Sequence, residues 1–168
     1  MALEKATVRL SLENLSGAFS MFDDRPYSGR DLSSSFALEL MKKAEEAGEF
    51  KEVDIRLKKK AGKKELGSAK ARFAEHFKQF EAKISRERWV NRFQGTAFVI
   101  LGGALLVARN KVYSEGFDII GLLLLPAGWL ALFLGAEFIV ADWKLGPGHK
   151  AAKMLGDAGY SFSRRERG

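Results

Sequence analysis

The sequence predicts a mixed α+β protein, in which a small cytoplasmic α/β head carries a two-helix transmembrane hairpin. The stretch from Ile119 to Ala136 holds 18 consecutive uncharged residues, a length that spans the hydrocarbon core of a bilayer. Gly95 to Ala108 holds another 14 uncharged residues. Alternating and amphipathic patterns lie on both sides of these two stretches. We therefore expect the head to be built from both ends of the chain, with a long helix leading into the first span.

The predicted boundaries follow the change in composition. Residues 1–88 form the head and a stalk helix, and residues 89–143 form the hairpin with spans at about 92–109 and 119–137. Residues 144–168 form a cytoplasmic tail whose short helix and strand complete the head. The first span is the shorter one, and 14 uncharged residues are also typical of a buried core helix. Arg92 and Arg109 extend it, because long basic side chains reach the headgroups from inside the span.

The head begins with a strand–helix–strand pattern. Thr7–Leu12 and Val53–Leu57 alternate apolar and polar residues, which predicts two half-buried strands. Between them, an apolar stripe predicts a helix from Leu32 to about Ala47, with Asp31 as its N-cap and Gly48 as its stop. This order predicts a parallel strand pair. A short helix is also expected over residues 14–22, where four apolar residues have helical spacing.

A third helix begins near Glu65 or Ser68 and carries an apolar stripe as far as Ile84. No Gly or Pro interrupts the stretch from Ser68 to Gln94, so we expect the helix to continue into that span. After the second span, residues 146–148 (Gly-Pro-Gly) are expected to break the chain. A short helix over 149–158 and a third strand at Tyr160–Ser163 follow, giving a sheet of about three strands.

The charge balance favours an anionic partner. The chain has 28 Lys and Arg against 21 Asp and Glu, a net charge of +7. With a membrane hairpin present, the bilayer surface is the nearest anion, and no nucleic-acid partner is expected. There is no Cys, which excludes disulfides and thiolate metal sites. The N-terminus has no apolar segment and carries Glu4, so we do not expect a signal peptide there.

Basic residues next to the spans predict the orientation. Eight lie on the side that holds both termini and two in the connecting loop: Lys78, Lys83, Arg86, Arg88, Arg92, Lys144, Lys150 and Lys153 against Arg109 and Lys111. By the positive-inside rule, the chain is a multi-pass protein of the inner membrane with both termini in the cytoplasm. Trp89 and Trp143 would form the aromatic belt on that side.

Glycines predict how the two spans pack. Five of them have a spacing of seven residues within each span: Gly95 and Gly102 in the first, and Gly121, Gly128 and Gly135 in the second. Antiparallel pairing then places residue 95 opposite 135, 102 opposite 128 and 109 opposite 121. The turn between the two helices then falls in the polar Asn110–Gly116 loop. The same register predicts that Arg92 pairs with Glu137, within or between protomers. The alternative is that glycine is simply common in membrane helices.

Two charged clusters are candidate binding sites. The first is the ligand-binding candidate loop: Asp23, Asp24, Arg25, Arg30 and Asp31. Its carboxylates could hold a hard cation, or its arginines an anionic group, or the residues could serve only as turn and cap chemistry. The second is the lysine turn, with Lys58, Lys59, Lys60, Lys63 and Lys64, which could contact anionic lipid or remain a solvated turn.

No catalytic constellation is present in the sequence. His76 and His149 lack metal-ligand spacing, and neither strand is followed by a glycine-rich phosphate loop, so no catalytic residue, metal or cofactor is predicted. We expect a non-catalytic accessory or scaffold component whose head mediates protein–protein interaction, as a homo-oligomer or with a membrane-complex partner. The alternatives are a membrane-tethered sensor of a small ligand or cation, and an oligomeric channel or transporter that uses Glu137.

Three motifs carry a resemblance to a known group of proteins. They are Phe19–Leu32 (FSMFDDRPYSGRDL), Arg72–Phe77 (RFAEHF) and the pair Asp142-Trp143. In this order they resemble a family of small uncharacterised prokaryotic membrane proteins with a cytoplasmic α/β head and two spans. In that family an aromatic residue often precedes the Asp, whereas Ala141 stands here. The resemblance implies the architecture but no activity, so it transfers no site residue.

Overall fold

The computed structural model describes residues 6–115 and 118–164. The elements in order are β1 (Ala6–Leu12), a 3₁₀ turn (Leu15–Ala18), α1 (Ser34–Ala47), β2 (Phe50–Leu57), α2 (Lys63–Ser114), α3 (Asp118–Asp157) and β3 (Gly159–Arg164). The described residues fall into two compact units. The first unit comprises residues 6–83 and 147–164, and the second comprises residues 84–146.

The first unit contains a three-stranded parallel sheet in the order β1-β2-β3. Val8 lies opposite Val53, and Ile55 lies opposite Phe162. The predicted parallel pair and the predicted third strand are therefore both confirmed. The connection from β2 to β3 contains both long helices, α2 and α3.

One face of this sheet is buried and the other is polar. The buried face includes Val8, Leu10, Val53 and Ile55. On the opposite face, Arg56 Nε donates to Asp54 Oδ2 at 3.3 Å and Ser163 Oγ lies 2.7 Å from Asp54 Oδ1. Parallel sheets are usually covered on both faces and then have continuously apolar strands. Here the strict alternation along each strand leaves a polar face, which carries hydrogen bonds instead of a second helical layer.

The core of the first unit centres on Phe73 in α2. Its ring centroid lies 5.5 Å from that of Phe19, 5.3 Å from that of Phe36 and 5.5 Å from that of Tyr160. The apolar stripe predicted for the third helix thus packs onto α1, β3 and the segment after β1. Tyr160 donates its hydroxyl to the Leu155 carbonyl at 2.8 Å, and burial raises the pKa of Tyr160.

Helix α1 begins two residues later than predicted, and Asp31 is not its N-cap. Ser33 occupies the cap position, although it makes no side-chain cap hydrogen bond. Leu32 instead forms an antiparallel bridge with Phe19, because residues 31–33 are held extended by two backbone hydrogen bonds. These run from Ser20 N–H to the Asp31 carbonyl (2.8 Å) and from Ser33 N–H to the Ala18 carbonyl (3.0 Å). At the other end, Gly48 stops the helix with φ of 71°.

The short helix expected over residues 14–22 is wrong beyond its first turn. Only the 3₁₀ turn Leu15–Ala18 forms, capped by Asn14, whose side-chain oxygen accepts the Gly17 N–H at 3.0 Å. Phe19 is then extended and buried in its bridge, while Phe22 is exposed to solvent. The helical spacing of the apolar residues was misleading because backbone pairing with residues 31–33 competes with helix formation.

The predicted break at residues 146–148 is also wrong, because α3 continues through Pro147 to Asp157. A proline inside a helix removes one backbone hydrogen bond and costs roughly 3 kcal/mol. The next turns bury Ala151, Ala152 and Leu155 against the core of the first unit, which offsets that cost. Pro147 marks the start of the first unit's second segment rather than the end of the helix. Helix α2 likewise continues to Ser114, through most of the predicted loop.

We expect Phe73→Ala to destabilise the first unit by about 3–5 kcal/mol, since it removes a fully buried ring and leaves a cavity. Hydrogen exchange of the β2 amides in the full chain measures this as faster exchange. Phe80→Ala, on the same helix but partly exposed, is the matched control and should cost much less. Equal exchange rates in the two variants would show that Phe73 is not the centre of the core.

Candidate ligand and partner surfaces

The carboxyl edge of the sheet brings two predicted clusters to the same end of the first unit. The strands are parallel, so the loop after β1 and the lysine turn after β2 leave the same edge. Lys58 N–H donates to the Leu12 carbonyl at 3.1 Å, and Lys59 N–H donates to the Glu13 carbonyl at 3.0 Å. Both clusters can therefore border the same cleft.

A shallow cleft of about 440 Å³ lies at this edge. The guanidinium of Arg30 stands over the Tyr27 ring, 5.2 Å from its centroid. Candidate residues Asp24, Arg25 and Arg30 thus share the cleft with Lys64 of the lysine turn. The full lining is Asp24, Arg25, Pro26, Tyr27, Arg30, Lys64, Glu65 and Ser68.

Asp23 is occupied by hydrogen bonds from its own loop. Its carboxylate accepts Arg25 Nε at 2.9 Å, Arg25 Nη2 at 2.8 Å and the backbone N–H of Asp31 at 2.7 Å. These bonds hold the pKa of Asp23 well below its usual value, and the bond from the Arg25 side chain contributes most. The stabilisation they provide is complete above a pH of about 3.8, the ordinary pKa, and is lost progressively as the pH falls from there through the lowered pKa. Asp23 therefore organises the loop and has little capacity left for a cation.

Arg72 ties this loop to α2. Its Nε donates to the Arg30 carbonyl at 3.0 Å, and its Nη2 donates to Asp31 Oδ1 at 3.0 Å. In the sequence, Arg72 stands out only as part of the Arg72–Phe77 motif, with no role assigned to it. The signal available in the sequence was its position next to Phe73, the residue at the centre of the core. Among the described residues, no group of three His, Cys, Asp or Glu side chains has an arrangement that could hold a metal ion.

The loop presents two large apolar side chains to solvent in what we call the Met-Phe turn, residues Ser20–Asp23. Asp23 N–H donates to the Ser20 carbonyl at 3.4 Å, which closes the turn. Met21 is 89% exposed and Phe22 is 98% exposed. Helical spacing predicts Phe22 on the apolar face of a helix, so this exposed surface is not predicted from the sequence. The backbone on both sides is fixed, by the Phe19–Leu32 bridge and by Asp23.

An apolar groove of about 630 Å³ lies between α1 and α2 of the first unit. Leu38 lines it while being 73% exposed. The rings of His76 and Phe80 stack at 6.5 Å, and burial, together with the charge of Arg72, lowers the pKa of His76. His76 is consequently neutral at neutral pH. The lining residues are Leu32, Ser34, Ala37, Leu38, Met41, Lys42, Glu45, His76, Phe77 and Phe80.

In the second unit, the predicted interface glycines lie where α2 and α3 come closest. A Cβ atom on Gly95 would stand 3.1 Å from the Gly135 carbonyl oxygen, and one on Gly102 would stand 2.8 Å from that of Gly128. Gly121 is also buried. Residue numbers rise along one helix as they fall along the other, so the contact is antiparallel. Glycine is required here because any side chain would separate the two backbones.

The charged pair predicted in this unit is different in the structure. Arg92 Nε donates to Asp142 Oδ2 at 2.9 Å, and Arg88 Nε donates to Asp142 Oδ1 at 2.8 Å. Hydrogen bonding to Arg88 is the main reason that the pKa of Asp142 is lowered. Within the chain, Arg92 thus pairs with Asp142 and not with Glu137. Glu137 is exposed on α3, outside the helix contact. The register fixes how far along the helix a residue lies, but not the direction in which its side chain points around the helix.

The two predicted belt residues are both exposed at this end of the second unit. Trp89 stacks on Phe93, with ring centroids 5.7 Å apart, and Trp143 follows directly after Asp142. An exposed tryptophan beside a partly buried ion pair is the arrangement expected where an apolar surface meets water.

We expect Arg72→Ala to loosen the loop that carries the Met-Phe turn. Loss of a hydrogen bond to a charged group costs about 1.5–3 kcal/mol when buried, and less here because Asp31 is exposed. Amide exchange at Ser20 and Asp31 should become about tenfold faster. Arg9→Ala, which removes an exposed arginine from β1, is the control and should leave both amides unchanged.

We expect Gly102→Ala to destabilise the α2–α3 contact and Gly103→Ala to leave it intact. The added Cβ would lie 2.8 Å from Gly128 O and 2.8 Å from Leu132 Cγ, whereas at Gly103 it would meet nothing within 4 Å. Overpacking of this kind costs about 1–3 kcal/mol. Thermal unfolding in detergent measures the difference, and equal melting temperatures would show that the close contact is absent.

Comparisons with known proteins add no identification. No family model, no curated protein and no solved structure matches the chain significantly. The assignment of function therefore depends on the surfaces described above.

Proposed function

We propose that this is an integral protein of the inner membrane, with the second unit as a transmembrane hairpin and the first unit as a non-catalytic, protein-binding head. The observation that carries the proposal is the Met-Phe turn, a fixed turn that holds Met21 and Phe22 almost wholly in solvent. The resemblance to two-span proteins with an α/β head is consistent with this proposal.

The surface of the second unit supports the membrane assignment. Helices α2 and α3 are each long and apolar enough to cross a bilayer. Only 11% and 22% of the residues in their most apolar windows are buried. The core helix of a soluble protein is mostly buried, whereas side chains such as Ile100, Val107, Leu122 and Phe133 are exposed here, which supports an apolar medium around them. Lipid is that medium in the proposal, with both termini cytoplasmic by the excess of basic residues.

The Met-Phe turn supports the protein-binding role of the head. Binding hot spots consist of a few large side chains that fill a pocket on the partner. A pre-formed backbone reduces the entropy lost on binding. Here Arg25, Asp31 and Arg72 fix the backbone around the turn. The two apolar side chains remain in solvent, so the rigid backbone does not serve to bury them within the unit. Such an arrangement is expected where another surface receives the turn.

A second candidate function is the sensing of a small anionic ligand in the cleft at the carboxyl edge. The observation in its favour is that Arg25, Arg30 and Lys64 border one cleft. Arg25 is already engaged by Asp23 and Asp31, which leaves Arg30 and Lys64 as the groups that could bind an anion. A thermal shift with phosphate, nucleotides or acidic metabolites, absent in Arg30→Ala, would favour this candidate over protein binding.

The proposal predicts a protein neighbour at position 22 in native membranes. A photo-crosslinking amino acid placed at position 22 should yield a protein adduct of increased mass, while the same probe at Glu39, an exposed position on α1, should yield at least tenfold less. Adducts with lipid alone would contradict protein binding. Release of the protein from membranes by an alkaline wash would contradict the transmembrane hairpin.

A further inference from the structure

We infer that the end of the second unit where Arg88 and Arg92 share Asp142 is a binding site for the headgroup of an anionic phospholipid. This inference rests on the proposed function, because the proposed hairpin places this end at the cytoplasmic leaflet. It goes beyond that function by assigning a class of lipid and the residues that hold its phosphate group.

The ion pair at this end carries a surplus of positive charge. Arg88 Nε donates to Asp142 Oδ1 at 2.8 Å and Arg92 Nε donates to Asp142 Oδ2 at 2.9 Å, so one carboxylate serves two guanidinium groups. Glu87 and Glu137 are exposed, and within the described chain neither of them pairs with either arginine. One positive charge of the cluster is therefore left uncompensated.

Both guanidinium groups keep hydrogen-bond donors that reach solvent. Each gives Asp142 one N–H, from Nε, and among the described residues the Nη groups of neither arginine make a hydrogen bond. The side chain of Arg92 is 63% exposed, and the Nη atoms of Arg88 are also accessible. The planar fork of arginine N–H groups matches the oxygens of a phosphate group. Two such forks are thus held side by side with donors still available.

Exposed aromatic rings flank the ion pair on both helices. Trp89 and Phe93 stack on α2 with ring centroids 5.7 Å apart, and both are about two-thirds exposed. Trp143 follows Asp142 on α3 and is 80% exposed. A free phosphate ion has no apolar part to cover these rings, whereas a phospholipid has acyl chains next to its phosphate group. The rings and the arginines together therefore favour a lipid over a soluble anion.

Asp142 is a positioning residue in this site. Arg88 and Arg92 are four residues apart on α2, so they lie on the same face of the helix and repel each other. The partly buried carboxylate from α3 holds them together before any lipid arrives, which reduces the entropy lost on binding. On the cytoplasmic side, basic pockets between membrane helices bind lipid headgroups.

Tryptophan fluorescence can detect a lipid at this site. The full-length protein with Trp129→Phe and Trp143→Phe keeps only Trp89, which adjoins Arg88. It is reconstituted into phosphatidylcholine vesicles that contain either phosphatidylglycerol or phosphatidylcholine with brominated acyl chains, because bromine quenches nearby indole rings. From the uncompensated charge, we expect the anionic lipid to bind beside Trp89 about fivefold more tightly than the zwitterionic lipid. A protein that keeps only Trp129, within the predicted second span, should show no such preference.

Two variants of the Trp89-only protein should shift the preference in opposite directions. Arg92→Gln leaves one arginine on one carboxylate and should abolish the preference. Asp142→Asn leaves two uncompensated arginines and should increase it several-fold, a gain that loss of structure at the site would not give. Arg86→Gln is the matched control, because this exposed arginine lies two residues from Arg88 and does not share its face of α2. An equal loss in Arg86→Gln and Arg92→Gln would indicate a general surface potential and would overturn the inference.

The remaining outcomes separate this inference from the proposed function. Equal quenching of Trp89 by the two lipids, with Trp129 also quenched by both, would overturn the inference and keep the transmembrane hairpin. Loss of the preference on addition of inorganic phosphate at constant ionic strength would show that a soluble anion binds there, and would overturn the assignment to lipid. Absence of quenching at Trp129 by either lipid would overturn the hairpin and the inference together.

Discussion

The packing of Phe73 is the interaction on which the first unit depends. Its ring contacts Phe19 from the loop after β1, Phe36 from α1 and two rings of β3, Tyr160 and Phe162. Segments from both ends of the chain therefore meet on one side chain of α2. A two-stranded sheet is marginally stable at best, so β1 and β2 need this core and the third strand.

Arg72, the residue before Phe73, links the core to the loop at the surface. Arg72 binds the Arg30 carbonyl and Asp31, and Asp31 in turn donates its backbone N–H to Asp23. The Met-Phe turn is thus connected to the core through one chain of hydrogen bonds. This explains how a loop of fourteen residues, Phe19–Leu32, can hold two apolar side chains in water without collapsing onto them. Exposure of Met21 and Phe22 to water has an unfavourable solvation free energy, and the rigid loop prevents the collapse that would bury them.

Much of the fold was predictable because its signals are periodic. The alternation in β1 and β2 and the apolar stripe of α2 are local patterns, and each reports a buried face directly. The failures share a different cause. Phe22 and Asp31 were assigned from local spacing, whereas a bridge between residues distant in sequence decides their conformation. Pro147 was read as a stop, but tertiary burial of Leu155 keeps the helix intact.

The candidate sites were less predictable than the fold. Residue types identified Asp23 and Arg25, but only the structure shows that these two neutralise each other. Register placed Arg92 opposite Glu137, and the direction of the side chains selects Asp142 instead. The groove between α1 and α2 had no signal in the sequence, because its lining alternates between two helices and each stripe looks like ordinary core.

The parallel pairing of β2 with β3 has a consequence for biogenesis. These strands are neighbours in the sheet, yet both long helices lie between them in the chain. During synthesis, β3 emerges after both long helices, and β2 keeps an open edge until β3 arrives. In the proposed membrane arrangement, a chain that inserted only one of its helices would deliver β3 to the wrong compartment. In that arrangement the head could not then close, so completion of the sheet would depend on correct insertion of both helices, and mis-inserted chains would expose an unfinished core to proteases.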